Sequence, residues 1–352
     1  MATMPGGVKA NRGKSNAPGL TSKRPMVSEH ISLIAYAGRR VLAAIPLLAG
    51  VLLVTFVLIH SVPGDPVSIL AGEHTTPEHQ AFIRERFGLD RPPLERLFFY
   101  VTRIAQADFS YSYASGRLVI AEIAGRMPPT VLLIVSALLL SALGGVILGV
   151  LASYRPASTL DVVISACCIV FHSIPVFWLG QLLLLFMALS LDLFPVQGMI
   201  SVRQELTEFP YLVDPLHHLA LPAITLALHH LALIARVTRA SMVEILGEEF
   251  IRTARAKGLR EGLVLVKHAL RNALVPIINV VGTELGVLFA GAVLTETVFG
   301  WPGLGRLLFD AALSRDYPLL LGMFLLIAAG VIVANLLSDL ICACLDPRVK
   351  YR

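Results

Sequence analysis

The chain has 352 residues, 56% of them apolar and only 15% charged, with a formal net charge of +5. Soluble domains carry about 25% charged residues, so a water-soluble enzyme is excluded as a description of the whole chain. The mean hydropathy of +0.74 and isoelectric point near 9.1 indicate a membrane protein whose basic excess reports topology and anionic headgroups. No aromatic-interleaved basic patch points to nucleic acid.

In chain order, residues 1–38 form a basic leader rich in Gly, Pro, Lys, Asn and Ser, a composition that reads as disordered. Some forty residues precede the first apolar run and no A-x-A site follows it, so that run reads as a retained helix rather than a cleaved signal. Residues 39–352 form one transmembrane domain. It holds six apolar runs near Val41–Val62, Pro129–Tyr154, Val162–Leu191, Leu216–Val237, Ala273–Val298 and Tyr317–Leu345. Each is long enough to cross a hydrocarbon core of about 30 Å as a helix. The runs do not alternate apolar with polar residues as barrel strands do, and only helices then satisfy every backbone group in lipid. The expected fold is an all-α integral membrane protein of about six spans.

Lysine and arginine set the orientation. With the N-terminus inside, the cytoplasmic segments hold seven in the first forty residues, Arg155, eight between Arg236 and Arg271, and three at the C-terminus. Most of the remainder lies in one external loop, 63–128, which is too long to weigh in the rule. Both termini are therefore expected in the cytoplasm. Within that loop Leu94, Leu97, Phe98, Val101 and Ile104 recur at helical spacing and predict a helix lying on the membrane surface or on the bundle. Phe109, Tyr111 and Tyr113 follow it, either as interfacial anchors or as a docking surface for an external partner.

Catalytic motifs are absent from the sequence: there is no Gly-rich phosphate loop, no H-E-x-x-H and no G-x-S-x-G. The histidines of Asp214–His218 and His229–His230 are adjacent and so point to different helix faces. Cys167/Cys168 and Cys342/Cys344 are neighbours that do not face each other on a helix, which favours packing over a disulfide or metal site. Pro175 and Pro222 interrupt the third and fourth runs.

Polar residues within the spans carry more. Glu284 falls mid-span, where an uncompensated charge is costly, so it either faces a pathway or bonds to a neighbouring helix. Gly282, Gly286 and Ala290 form a small-xxx-small stripe that admits another helix. Asp339 is expected to pair with a juxtamembrane cation.

The segment 238–272 is cytoplasmic, basic and patterned. Glu248 and Glu249 suit a helix start and Arg255 and Lys257 a helix end, while Gly258 is placed to stop the helix in a left-handed conformation. A second helix is expected from about Arg260 towards Arg271, continuing into the fifth span. Two short helices with a Gly corner would form a rigid knob.

Phe250–Leu259 (FIRTARAKGL) and His268–Leu274 (HALRNAL) resemble the coupling loop of the inner-membrane permeases of ABC importers, in the dipeptide/oligopeptide B-type branch. Pro63–Pro66, Phe87–Pro92, Ser173–Gly180, Thr295–Gly305 and Leu345–Val349 are similar to that family in the same order. Against the broader importer pattern, E-A-A, then Gly, then I-x-L-P, the Gly is Gly258 and Ala254 is kept. Arg252 and Thr253 replace the Glu and first Ala, and His268-Ala269-Leu270-Arg271 replaces I-x-L-P.

The resemblance implies a type I importer permease in a bacterial cytoplasmic (inner) membrane, moving peptides brought by an external solute-binding protein; nickel and glutathione importers share the type. It implies a second homologous permease subunit, two ATP-binding subunits that hold ATP and Mg, lipid around the spans, and no cofactor in this chain. The coupling residues would be Phe250, Ile251, Arg252, Thr253, Ala254, Arg255, Ala256, Lys257, Gly258 and Leu259. Phe250, Ile251, Ala254 and Leu259 would enter a groove on the ATPase, with Arg252, Arg255 and Lys257 at its rim. Glu284, Phe177 and Trp178 are candidates to line the pathway, and Gly282, Gly286 and Ala290 to pack against the second permease. A secondary transporter would instead need ion sites and inverted repeats, and no repeat is visible.

Overall fold

The computed structural model describes residues 33–61, 89–106, 108–201 and 208–345, with scattered positions between 67 and 85. Pro63–Pro66, residues 1–32 and residues 346–352 lie outside the described residues. Helix α1 (Leu33–Ser61) begins inside the stretch that composition assigns to a leader. It is followed by α2 (Pro93–Ala105), α3 (Val119–Tyr154), α4 (Thr159–Ser173), and α5 (Val176–Leu183), which widens into a π-helical stretch at Leu184–Ser190. Then come α6 (Glu208–Leu246), α7 (Glu249–Ala256) and α8 (Glu261–Leu263). The last leads through a π-helical stretch at Val264–Leu270 into α9 (Arg271–Val298), with α10 (Leu304–Leu313) and α11 (Tyr317–Leu345) closing the order.

Five of these helices are long and apolar enough to span a bilayer. Among the described residues the α4–α5 pair, bent by 103°, brings the number to six when it is taken as one broken span. The expected count of spans holds, but the third is broken rather than kinked. Ile174 precedes a proline and is driven out of the helical region, to φ −76° and ψ 127°. Pro222 behaves differently. Helix α6 runs through it, because Leu221, Ala223 and Thr225 are buried around the ring and hold the helix by packing. Helix α3 likewise begins ten residues before the expected boundary and passes through Pro128 and Pro129; the Pro129 carbonyl accepts the Trp301 indole N–H at 2.9 Å.

The principal seam joins α3 and α6. A Cβ on Gly145 would lie 2.7 Å from Cβ of Ile234, and one on Gly149 would lie 2.5 Å from Cβ of Thr238 and 2.7 Å from the Ala235 carbonyl. Only glycine allows these backbones so close. At one end of the bundle Phe56, Ile59, Val119, Ile123, Leu304, Tyr317 and Met323 form an apolar layer drawn from α1, α3, α10 and α11. At the other, Ile234, Met242, Ile251, Ala254, Val264, Ala273 and Ile277 join α6, α7 and α9. Many remaining apolar side chains face outward, Leu42, Leu58 and Leu143 each above 60% exposed. That is the surface a lipid solvent stabilises.

Helix α2 forms where the apolar spacing placed it, with Leu97 and Tyr100 packed on the first layer. The juxtamembrane pairing of Asp339 is present too, with Arg40 of α1 at 2.7 Å.

Candidate coupling site

Helix α7 is a two-turn helix standing off the end of the longest span. Glu248 has extended dihedrals at its N-cap, and Glu249 puts negative charge in the first turn, where the exposed N–H groups favour it. The C-terminus closes through Gly258, at φ +75°. The Gly258 amide donates to the Arg255 carbonyl at 2.9 Å and the Leu259 amide to the Ala254 carbonyl at 3.5 Å. These two bonds are the Schellman pair, and Leu259 folds back onto the apolar cluster beneath, as that motif favours.

Burial divides the helix in two. Ile251 is fully buried and Ala254 is 6% exposed, both against Val264 and Ala269 of the π-helical stretch and its neighbours. The expectation that Ile251 and Ala254 enter a partner's groove is therefore corrected: the chain's own core takes them, because they occupy the inward stripe of an amphipathic helix. Leu259 is half-buried in the same cluster. The outward face is Phe250, 43% exposed, with Arg252, Thr253, Ala256 and Lys257. Arg255, expected at the rim, is exposed but already engaged within the chain. Its guanidinium grips Glu261 of α8 through Nε at 3.2 Å and Nη2 at 2.5 Å, a contact that raises its pKa. The pair bridges α7 to the start of the helix leading into α9.

The other candidates fall apart by location. Glu284 is buried against His230 of α6, the two joined by a hydrogen bond, so of the two readings open for it the bonded one holds in this conformation. His229 stacks on His172 of α4 with centroids 4.8 Å apart. Phe177 and Trp178, 40% and 47% exposed, sit on the first turn of α5 just after the break. The stripe of Gly282 and Gly286 faces Ser338 and Asn335 of the chain's own α11. At those two positions α11 of the same chain occupies the approach expected for a second permease; the side chain of Ala290 lies outside the described residues.

Sequence reasoning missed a buried polar knot at the opposite end. The Glu296 carboxylate, fully buried, accepts from Thr130 Oγ1 at 2.7 Å and from the amides of Gly305 at 2.6 Å and Arg306 at 3.2 Å. It thereby caps the N-terminus of α10, and Trp301 is buried beside it. A Cβ on Gly303 would collide with that carboxylate, and one on Gly305 would come 2.9 Å from the Val293 amide nitrogen. The Gly spacing of Trp301–Gly305, noted in the sequence as part of the family-like segment Thr295–Gly305, was the available signal. A second missed contact is the Arg239–Asp161 pair, at 2.5 and 2.6 Å, which ties α6 to the start of α4.

The family model of the binding-protein-dependent transport system inner membrane component matches residues 145–351, and that of its N-terminal part matches residues 33–134. The dipeptide transport system permease protein DppB of Escherichia coli is 38% identical, over 91% of this chain and all of that protein. The di/tripeptide transport system permease protein DppB of Pseudomonas aeruginosa is 37% identical over the same shares. The oligopeptide transport system permease protein AppB of Bacillus subtilis is 36% identical, again over 91% of this chain and all of its own. Among solved structures, an inward-facing MetNI methionine ABC transporter aligns with a TM-score of 0.50 and 18% identity, covering 64% of this chain and 96% of that one, a likeness of fold alone. The chain belongs to the family of binding-protein-dependent transport system inner membrane components and is a multi-span subunit of the ABC importer permease kind.

Proposed function

We propose that the chain forms half of the path by which a bacterial ABC importer takes up short peptides. An external solute-binding protein delivers the peptide, a second homologous permease completes the path, and two ATP-binding subunits drive it through α7. The observation that supports this reading most directly is the divided burial of α7: its inner stripe is locked into the chain's own core while Phe250, Arg252 and Lys257 face outward. The helix is thus a solid handle rather than a loose peptide. Peptide specificity is inferred from the names of relatives aligned over their full length.

In this mechanism the ATPase grips the outward face of α7, and closure of the two ATPase subunits displaces the handle. The Arg255–Glu261 contact and the shared apolar cluster carry that displacement into α6 and α9 together. The spans then tilt between inward-open and outward-open arrangements. Phe177 and Trp178, exposed beside the α4–α5 break, are proposed to line the path, with Glu284 held in reserve behind His230.

Gly258→Pro forces φ to about −65° where the corner needs a positive value, and Ala254→Glu drives a carboxylate into the apolar seat. Both variants are expected to assemble with intact spans, verified by size-exclusion of the purified complex. In proteoliposomes they should hydrolyse ATP without accumulating peptide. Wild-type uptake by both would overturn the coupling role.

A further inference from the structure

One opening lies far from the coupling handle and is not absorbed by it. It is a cavity of about 320 Å³ between α2, the turn at Ser110–Gly116 and the first turn of α11. Three arginines, Arg91, Arg96 and Arg103, line it against one acid, Glu85, with Tyr100 and Tyr113 beneath. Arg103 is already paired with Asp108 at 2.9 Å, so Arg91 and Arg96 supply its positive balance. The Arg91 and Arg103 guanidiniums lie over the Phe99 ring, 5.3 and 5.0 Å from its centroid, and Arg96 Nε donates to the Arg91 carbonyl at 2.9 Å. These contacts hold the arginine heads in place while leaving donors to spare.

Depth in the bilayer narrows the ligand. Pro318 is the second residue of α11, and the Ser110–Gly116 turn ends just before α3 begins at Val119. The cavity therefore sits level with the ends of two spans, where phosphate headgroups lie. Helix α2 adds an apolar ledge. Leu94 is 79% and Phe98 72% exposed, and both line a shallow depression with Arg91, Glu95 and Phe99. An amphipathic helix with exposed Leu and Phe on one side and Arg on the other lies in the interface with its apolar face among acyl chains.

The geometry points to a binding site for one anionic phospholipid, in the leaflet opposite α7, with its phosphate between Arg91 and Arg96 and its chains along Leu94 and Phe98. A soluble anion would use the arginines but not the ledge. An acidic protein surface would use the rim but leave the ledge in water. The lipid would clamp α2 onto the ends of α3 and α11, and so stiffen the mouth of the path at the far end from the ATPase.

The test uses the purified complex in detergent, titrated with short-chain phosphatidylglycerol or phosphatidylcholine and read by native mass spectrometry. Wild-type complex should retain phosphatidylglycerol preferentially, and Arg91→Gln with Arg96→Gln should weaken retention by roughly fivefold for each guanidinium removed. Should that variant not assemble, Leu94→Gln with Phe98→Gln, both at exposed positions, should also weaken retention while leaving the guanidiniums intact. Equal retention by wild type and every assembled variant would overturn the site. So would competition by inorganic phosphate or glycerol 3-phosphate at the same concentration, which would make it a soluble-anion pocket. Unchanged lipid retention with lost capture of the solute-binding protein would overturn it in favour of a protein dock.

Discussion

At one end of the bundle Glu296 is fully buried and takes hydrogen bonds from Thr130, Gly305 and Arg306, while at the other Arg255 and Glu261 meet with 44% and 37% of their side chains exposed. The buried knot has no solvent to fall back on, so each of its bonds is obligatory and the end it closes is set in one arrangement. The exposed pair exchanges readily with water and is cheap to rearrange. Rigidity is thus concentrated where Glu296 caps α10, and adjustable contacts lie at α7, the proposed coupling helix.

Five substitutions, in four measurements, rank the two ends. Glu296→Leu strands the Thr130 hydroxyl and two amides at the start of α10. It should cost about 3–5 kcal/mol, at roughly 1–3 kcal/mol for each buried donor left unsatisfied, seen as a large fall in the thermal midpoint of the complex and in membrane abundance. Gly305→Ala sets a methyl against the Val293 backbone and should cost about 1–3 kcal/mol in the same assay. At the coupling end Gly258→Ala places a side chain at φ +75° with open space around it. The loss should be only about 1 kcal/mol, so the thermal midpoint hardly moves while peptide uptake per ATP declines. Arg255→Gln combined with Glu261→Gln in a double-mutant cycle should give a coupling energy of about 0.2–1 kcal/mol, smaller still in high salt. A larger penalty at Arg255 than at Glu296 would reverse the assignment of rigid and adjustable ends.

The same contrast governs what could be read from the sequence. Helix α7, its Gly258 stop, the surface helix α2 and the Asp339–Arg40 pair were legible because each rests on local spacing or on charge near a span end. Pro175 and Pro222 look alike in sequence, each a lone proline in an apolar run. What separates them is the buried setting of Leu221, Ala223 and Thr225, against the extended Ile174. The spacing of Gly282 and Gly286 announces that a helix approaches, but not which one; α11 of the same chain answers it. Glu296 depends on Thr130, 166 residues away, and no local pattern reports a partner at that distance.

Helix α6 runs for 39 residues, about 58 Å at 1.5 Å per residue, and Gly145 and Gly149 leave no gap between it and α3. The two helices therefore work as a double-walled strut with α7 as its foot. A tilt of about 5° at the foot carries the far tip roughly 5 Å for a rod of that length, without bending any helix. Filling either glycine would force the two helices apart at the seam, and part of the stroke proposed to enter at α7 would be lost as slip along it.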